Sequence, residues 1–404
     1  MIQAGGLSGL AGMVAAEGGK TAFVVTDKGL TKVGLTARVQ EILEKGKVTC
    51  VVFDDIMANP TSSIINTAAA KLRALGDNVV VCALGGGSAM DAAKAIAGLA
   101  KTGGDSIVPM CFNPEFDEKA MTMNRASLLP KVWVTACYPV IAIPTTSGTA
   151  SETNGAAVVS DDTGALHRKI IFASDLAKPK AIILDAELTV GVPAYPTATC
   201  GMDVLTHAME AFTSSGQNVY ADAVALGAIK LVAQNLRPVL KDPTNLKLRE
   251  NMHIASHMAG VAFNISPLGI VHAMGHPLSA VYNQAHGQTL STLLPVLMRF
   301  NMSVRADKYA QVAEAFGVHD ASKTDEQNAE AAIAAVAQLS NDVGTGRSIE
   351  SYSGGNFEKD LPTLVRQALV DISMMSTARQ PTFAEVESLY REAFSNKAVY
   401  TSKL

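Results

Sequence analysis

The sequence predicts an α/β domain over residues 1–195 followed by an all-helical domain over residues 196–404. Three observations carry this. Short β-branched runs alternate with helical patterns through the first half, Pro193 and Pro196 mark a change of pattern, and beyond them apolar residues recur at i, i+3 and i+4 in successive long segments.

Taken in order, MIQAGGLSGLAGMVAAEGGK reads as an amphipathic opening helix and not a signal peptide, because it lacks a basic leader. TAFVVTD (21–27) and VTCVVFDD (48–55) read as strands, with LTKVGLTARVQEILEK as the helix between them. A helix near 62–75 leads to a third strand, NVVVCAL (78–84). This cadence is that of a parallel sheet with right-handed crossovers, its apolar strands buried on both faces. Gly85, Gly86, Gly87 and Ser88 then open a small-residue helix, AMDAAKAIAGLA. A tight turn needs one glycine; three at a strand-to-helix junction let backbone approach a ligand, and the free N–H groups of the helix start favour a phosphate. The spacing is not GxGxxG, so an ordinary Rossmann fingerprint is absent.

PVIAIPTTSGTASETNG (139–155) runs from a strand into a loop dense in hydroxyls, Thr145, Thr146, Ser147 and Thr149, suited to phosphate oxygens or an amide and equally to a solvated turn. Residues 101–139 have no clean periodicity and hold the only tryptophan, Trp133; they read as an irregular excursion with an edge hairpin, placed to meet a subunit neighbour. Helices follow near 197–214, 219–235, 245–265, 270–283, 289–301, 304–316, 327–343, 360–374 and 383–395.

The chemistry concentrates in the helical half. Asp203 and His207 stand four apart in GMDVLTHAMEAF and share a helix face, and His272, His276 and His286 follow in one short span, the first two again one turn apart. A single histidine pair is weak, since buried histidines are more often hydrogen-bonded core residues. One carboxylate with several imidazoles suits Fe(II), Zn(II) or Mn(II), whereas structural zinc would recruit paired cysteines. His253 and His257 have similar spacing and are assigned to structure; Met258 and Phe263 suit either an apolar wall or the core. Metal candidates on the second domain and phosphate candidates on the first place the expected reaction between them.

Composition narrows the function classes. A net charge of −4 over 404 residues, with no Lys/Arg run, leaves no basic surplus for phosphates, so no nucleic-acid partner is expected. Five scattered cysteines without a CxxC pair argue for a reducing compartment, and no uninterrupted apolar run reaches membrane-spanning length. A cytoplasmic location is the expectation; the final Ser402, Lys403 and Leu404 spell a peroxisomal address if the host is eukaryotic.

VVTDKGL, ALGGGSAMDAAKAIA, IPTTSGTASE, GMDVLTHAMEAF and LGIVHAMGHPLSAVYNQAHG occur in that order over nearly the whole chain. Together they resemble the iron-containing, or group III, metal-dependent alcohol dehydrogenases, related in fold to dehydroquinate synthase and glycerol dehydrogenase. The resemblance implies a dinucleotide-binding α/β domain, a metal-binding helical domain, and hydride transfer between NAD(H) and a primary or small secondary alcohol or its aldehyde or ketone. It implies metal ligation by Asp203, His207, His272 and His286, with Fe(II) favoured and Zn(II) the alternative, and it places His276 near the nicotinamide as a candidate acid or base. It further implies pyrophosphate binding by Gly85, Gly86, Gly87 and Ser88, a cofactor cleft lined by Thr145, Thr146 and Thr149, a nicotinamide-ribose contact from Lys169, and an adenosine-ribose contact from Asp27. A carboxylate at Asp27 opposes a 2′-phosphate and favours NAD. A homodimer or larger homo-oligomer is expected.

Three departures from the family pattern stand out: a truncated leading strand, a long 101–139 excursion, and small residues Gly155, Ala156 and Ala157 facing the expected pocket. The alternative is a metal-dependent dehydrogenase or lyase for a phosphorylated or polyol substrate on the same fold. It would want Lys or Arg beside the metal, and the segments around Asp203 and His272 have none. A structural protein with a decayed site would not need the intact ligand set.

Overall fold

The computed structural model describes residues 1–163 and 168–395; the terminal Ser402–Leu404 tripeptide lies outside the described residues. The chain forms two compact units, Met1–Asn113 with Leu128–Val192, and Pro114–Ser127 with Pro193 onward.

Unit 1 contains α1 (Leu10–Ala16), β1 (Thr21–Val25), α2 (Lys28–Lys32), α3 (Leu35–Lys45), β2 (Thr49–Phe53), α4 (Ser62–Arg73), β3 (Val79–Gly85), α5 (Gly87–Thr102) and the two-residue β4 (Cys111–Phe112). The chain then leaves for a hairpin of β5 (Glu115–Asp117) and β6 (Thr122–Asn124), and returns as β7 (Val140–Pro144), β8 (Ala156–Asp161), β9 (Arg168–Ala173) and β10 (Ala181–Ile182). The helix expected over 30–45 is two helices, because Gly34 adopts φ +86° between them.

β2, β1, β3, β7 and β10 lie in that order in one parallel sheet. Alternate residues feed two cores. Phe23, Val25, Val79, Val81 and Ala83 pack with residues of α4 and α5, while Ala22, Val24, Val80, Cys82 and Leu84 pack with Leu10, Val14, Val39 and Leu43 from α1 and α3. Sheet order reverses between β1 and β3, and ligands bind open α/β sheets outside the carboxyl ends of strands at such a switch. Near the N-terminus Ile2 makes a single parallel bridge to Leu184. Gly155 and Ala157 are small for packing: a Cβ on Gly155 would lie 1.9 Å from the Ser174 carbonyl oxygen, and Ala157 is buried in the core.

Unit 2 is helical, with α6 (Ala194–Thr213), α7 (Val219–Lys241), α8 (Leu246–Ile265), α9 (Ile270–Tyr282), α10 (His286–Phe316), α11 (Asp325–Asp342), α12 (Phe357–Val370) and α13 (Phe383–Ser395) around one core. α10 is two helical segments that meet at a kink where Arg305 leaves helical geometry (φ −142°, ψ 24°), close to the break expected between 301 and 304, and the Arg305 guanidinium donates to the carbonyls of Thr213 and Ser214. The helix expected over 360–374 stops at Val370; Asp371 is extended and caps a short 3-10 turn. α7 matches a membrane span in length and hydropathy, but it sends Ala225, Ala228, Ile229, Val232 and Leu236 into the core of unit 2, the pattern of a packed core helix.

The β5–β6 hairpin packs on the helical core. Phe116 lies 6.5 Å from the Phe383 ring, and Arg366 donates to Glu118 at 3.0 Å while lying over Phe116.

Candidate metal centre and cofactor cradle

α6 carries Asp203, His207 and Glu210 on successive turns of one face, α9 carries His272 and His276, and α10 begins at His286. Glycines bring these helices close. A Cβ on Gly287 would lie 2.0 Å from the Thr199 carbonyl oxygen of α6, and one on Gly275 would lie 2.5 Å from Leu290 of α10. Each glycine neighbours a histidine of the cluster, so close helix approach and side-chain convergence have the same cause.

The Nε2 atoms of His207, His272 and His286 lie 3.4, 3.7 and 3.7 Å from Oδ1 of Asp203. Ligand atoms about 2.1 Å from a shared tetrahedral ion stand about 3.4 Å apart. Asp203 Oδ1 and His272 Nε2 are buried and make no hydrogen bond, a costly state for a carboxylate and an imidazole unless something joins them. The donor set therefore fits a divalent ion. Asp203, His207 and His272 offer ligand atoms all within 4.8 Å of one another. His286 joins through Asp203 and, with its side chain 30% exposed, is the open side of the cluster.

Burial would raise the Asp203 carboxyl, but His207, His286 and His272 hold it well below the usual range. Burial would lower the His272 imidazole, but the Asp203 and Glu210 carboxylates push it up to about 9.

Both α9 histidines are gripped at Nδ1 by a carboxylate. Glu210 Oε2 lies 2.6 Å from His272 Nδ1, and Glu210 also accepts the Val271 N–H at 2.6 Å, so it caps α9 as it orients the ring. A carboxylate only accepts, so Nδ1 carries a proton, and Nε2, whose own proton an arriving ion would displace, is the nitrogen turned to Asp203. Asp371 Oδ2 lies 2.6 Å from His276 Nδ1 and Asp371 Oδ1 accepts the Ser373 N–H. Burial would raise Asp371, but His276 and the Ser373 donors keep it low and ionised. The His276 ring stacks on His286 at 5.2 Å. Phe263 lies against the His207 ring at 4.8 Å, whereas Met258 packs on the helical core and His253 is buried on α8 outside the cluster.

In unit 1 the candidate dinucleotide residues gather at the carboxyl ends of β1 and β3. Asp27 accepts the Leu30 N–H as the cap of α2, and its Oδ2 would lie 3.9 Å from a Cβ on Gly85. Gly85 adopts φ +150°, and the Thr145 N–H donates to its carbonyl at 3.0 Å. Cβ atoms on Gly86 and Gly87 would lie 3.3 Å from Thr146 Oγ1 and 2.6 Å from Thr149 Cγ2. The glycines are thus needed because the threonine loop lies against them. Ser88 Oγ accepts the Asn59 N–H, and Asn59 Oδ1 accepts from Lys169 Nζ at 2.8 Å, tying Lys169 to the start of α5.

Sequence reasoning missed Glu210, Asp371 and Asn59. Glu210 had a signal, since it shares the helix face of Asp203 and His207. Asn59 stands before a proline at φ 57°, a turn signal with no functional mark. Asp371 had none.

Comparison with known proteins identifies the family. Residues 1–186 match the family model for iron-containing alcohol dehydrogenase, and residues 197–394 match that for the Fe-containing alcohol dehydrogenase family, C-terminal. The chain is 35% identical over 379 residues to 1,3-propanediol dehydrogenase of Klebsiella pneumoniae, covering 93% of this chain and 92% of that one. Its fold matches an alcohol dehydrogenase from Oenococcus oeni with a TM-score of 0.87 at 30% identity, over 98% and 97% of the two chains. It also matches sulfoacetaldehyde reductase from Bifidobacterium kashiwanohense in complex with NAD+, with a TM-score of 0.82 at 27% identity over 97% and 96%. The family models and the shared fold define a metal-dependent oxidoreductase. The chain belongs to the iron-containing alcohol dehydrogenase family, and with it to the enzymes that interconvert alcohols and carbonyl compounds using NAD(H) and a metal.

Proposed function

We propose that this enzyme interconverts a primary or small secondary alcohol and its aldehyde or ketone, with unit 2 holding the metal and unit 1 the NAD(H). Three imidazole nitrogens around the buried, unpartnered Oδ1 of Asp203 carry the reading. Asp203, His207, His272 and His286 would hold the ion, with Fe(II) favoured by the family. When bound, the ion supplies a Lewis acid and the nicotinamide a hydride donor or acceptor.

Glu210 keeps the proton of His272 on Nδ1, leaving Nε2 free to ligate. Asp371 holds His276 in the same tautomer, with Nε2 available to take a proton in alcohol oxidation and return it in carbonyl reduction. In unit 1, Gly86 and Gly87 let the α5 N-terminus approach the pyrophosphate, and Thr145, Thr146 and Thr149 form the opposing wall. Asp27 accepts from the adenosine ribose hydroxyls while its charge opposes a 2′-phosphate. Lys169, steadied by Asn59, meets the nicotinamide ribose. Assembly as a homo-oligomer in the cytoplasm completes the proposal, and light scattering on the purified chain tests the assembly.

The decisive experiment strips the metal, reconstitutes separately with anaerobic Fe(II) and with Zn(II), and follows NADH absorbance with a panel of small aldehydes and ketones. Metal-dependent oxidation of NADH is expected. A folded, NADH-binding protein inert with every metal and carbonyl compound would sink the reading.

A further inference from the structure

α5 does more than begin with glycines. Its second turn carries Asp91 and Lys94, and Lys94 is 1% exposed, among the largest fully buried side chains in the chain. All of its donors go to the end of the threonine loop: Nζ donates to the Ser151 carbonyl at 2.9 Å, to Ser151 Oγ at 2.6 Å and, at 3.4 Å, to Asn154 Oδ1. Asp91 completes the cluster. Its Oδ1 accepts from Ser151 Oγ and faces Lys94 Nζ at 3.4 Å, and its Oδ2 accepts the Val158 N–H at 2.9 Å.

We propose that Lys94, with Asp91 and Ser151, is a latch that sets the spacing between the threonine wall and the glycine wall of the dinucleotide cradle, and is therefore a positioning residue for NAD(H). The inference rests on unit 1 being the NAD(H) site, as proposed above.

Three observations support the latch. The loop is gripped by the same β3–α5 segment at both ends: Thr145 N–H bonds the Gly85 carbonyl and Thr149 lies over Gly87 at one end, while Ser151 and Asn154 meet Lys94 at the other. Directly before Ser151, Ala150 holds φ 51°, a left-handed conformation that a residue with a Cβ disfavours and that the Ser151 contacts help to impose. A buried ammonium is also a poor choice for stability alone, since apolar side chains of similar volume hold a core as well or better. Burial draws the ammonium below the usual lysine range, and Asp91 and Glu152 oppose that pull. A charge kept at that cost, bonded to one loop, is explained by the geometry it enforces.

The test titrates NADH into the full metal-loaded chain by fluorescence, for wild type, Lys94→Met and Ser151→Ala. With the wall spacing loosened, Kd is expected to rise about tenfold in Lys94→Met and about threefold in Ser151→Ala, since binding must then reorganise the loop. Bound metal and turnover at saturating NADH should stay within about twofold of wild type. A lowered Tm with Kd within about twofold in both variants would show a merely structural role and overturn the latch. If Lys94→Met does not fold, Ser151→Ala decides on the same criterion. Absence of NADH binding by wild type would instead bring down the cofactor reading, and the latch with it.

Discussion

In unit 1 the groups proposed to receive a ligand are largely missing side chains: Gly86 and Gly87 are bare because Thr146 and Thr149 press against them. In unit 2 they are crowded ones, with Asp203, His207 and His272 buried together and Asp203 Oδ1 and His272 Nε2 left without hydrogen bonds. A dinucleotide offers long polar edges that backbone N–H groups can meet, so space is the scarce resource. A metal ion offers a point charge, so convergence of donors is scarce, and the helical core bears the cost of burying them until the ion arrives. Disturbing one unit should therefore leave the other's ligand largely untouched.

The largest expected effect separates the two. His272→Ala should lower metal-dependent turnover by at least about a thousandfold, with NADH affinity within about twofold of wild type by fluorescence titration; loss of both ligands together would break the comparison. Next comes pH. The metal-free His272 imidazole is raised to about 9, so the ion must displace its proton, and metal affinity should climb about tenfold per pH unit from near 6.5 to near 9, then level. The same proton stabilises the metal-free fold, fully below about pH 6.5 and progressively less as pH rises through about 9. A competition titration against a chelator at several pH values measures the first trend, and thermal unfolding of the stripped protein measures the second.

A smaller effect is expected from Glu210→Gln, which keeps the shape but weakens the grip on His272 Nδ1; metal affinity should fall by roughly 10- to 100-fold, read by the same chelator competition. The smallest is Gly87→Ala. Its methyl would sit 2.6 Å from Thr149, and because a β-branched side chain turns poorly the loop must shift, raising the NADH Kd about tenfold with metal affinity unchanged. An unaltered Kd would show that the glycine wall lies away from the cofactor.

Much of this was legible in the sequence because it is local. The β1 and β3 patterns, the glycine run and the i, i+4 spacing of Asp203 with His207 are each readable in a short window. What escaped acts at a distance. Glu210 meets His272 across 62 residues, Asp371 meets His276 across 95, and Lys169 meets Asn59 across 110; no periodicity encodes such pairs. Asp371 was hidden twice, since apolar spacing carries the helix of α12 straight through it, while the chain breaks there and frees its carboxylate to face His276.

The hairpin of residues 114–127 belongs to the helical unit although unit 1 resumes after it. The chain therefore crosses between units three times, at 113–114, 127–128 and 192–193. A chimera made by joining the first half of this gene to the second half of a relative's, at codon 192, would not exchange whole bodies. It would bring this chain's Phe116 and Glu118 against foreign counterparts of Phe383 and Arg366. Recombination that respects the architecture must carry two pieces of coding sequence together, which makes the short hairpin a barrier to shuffling cofactor units against metal units.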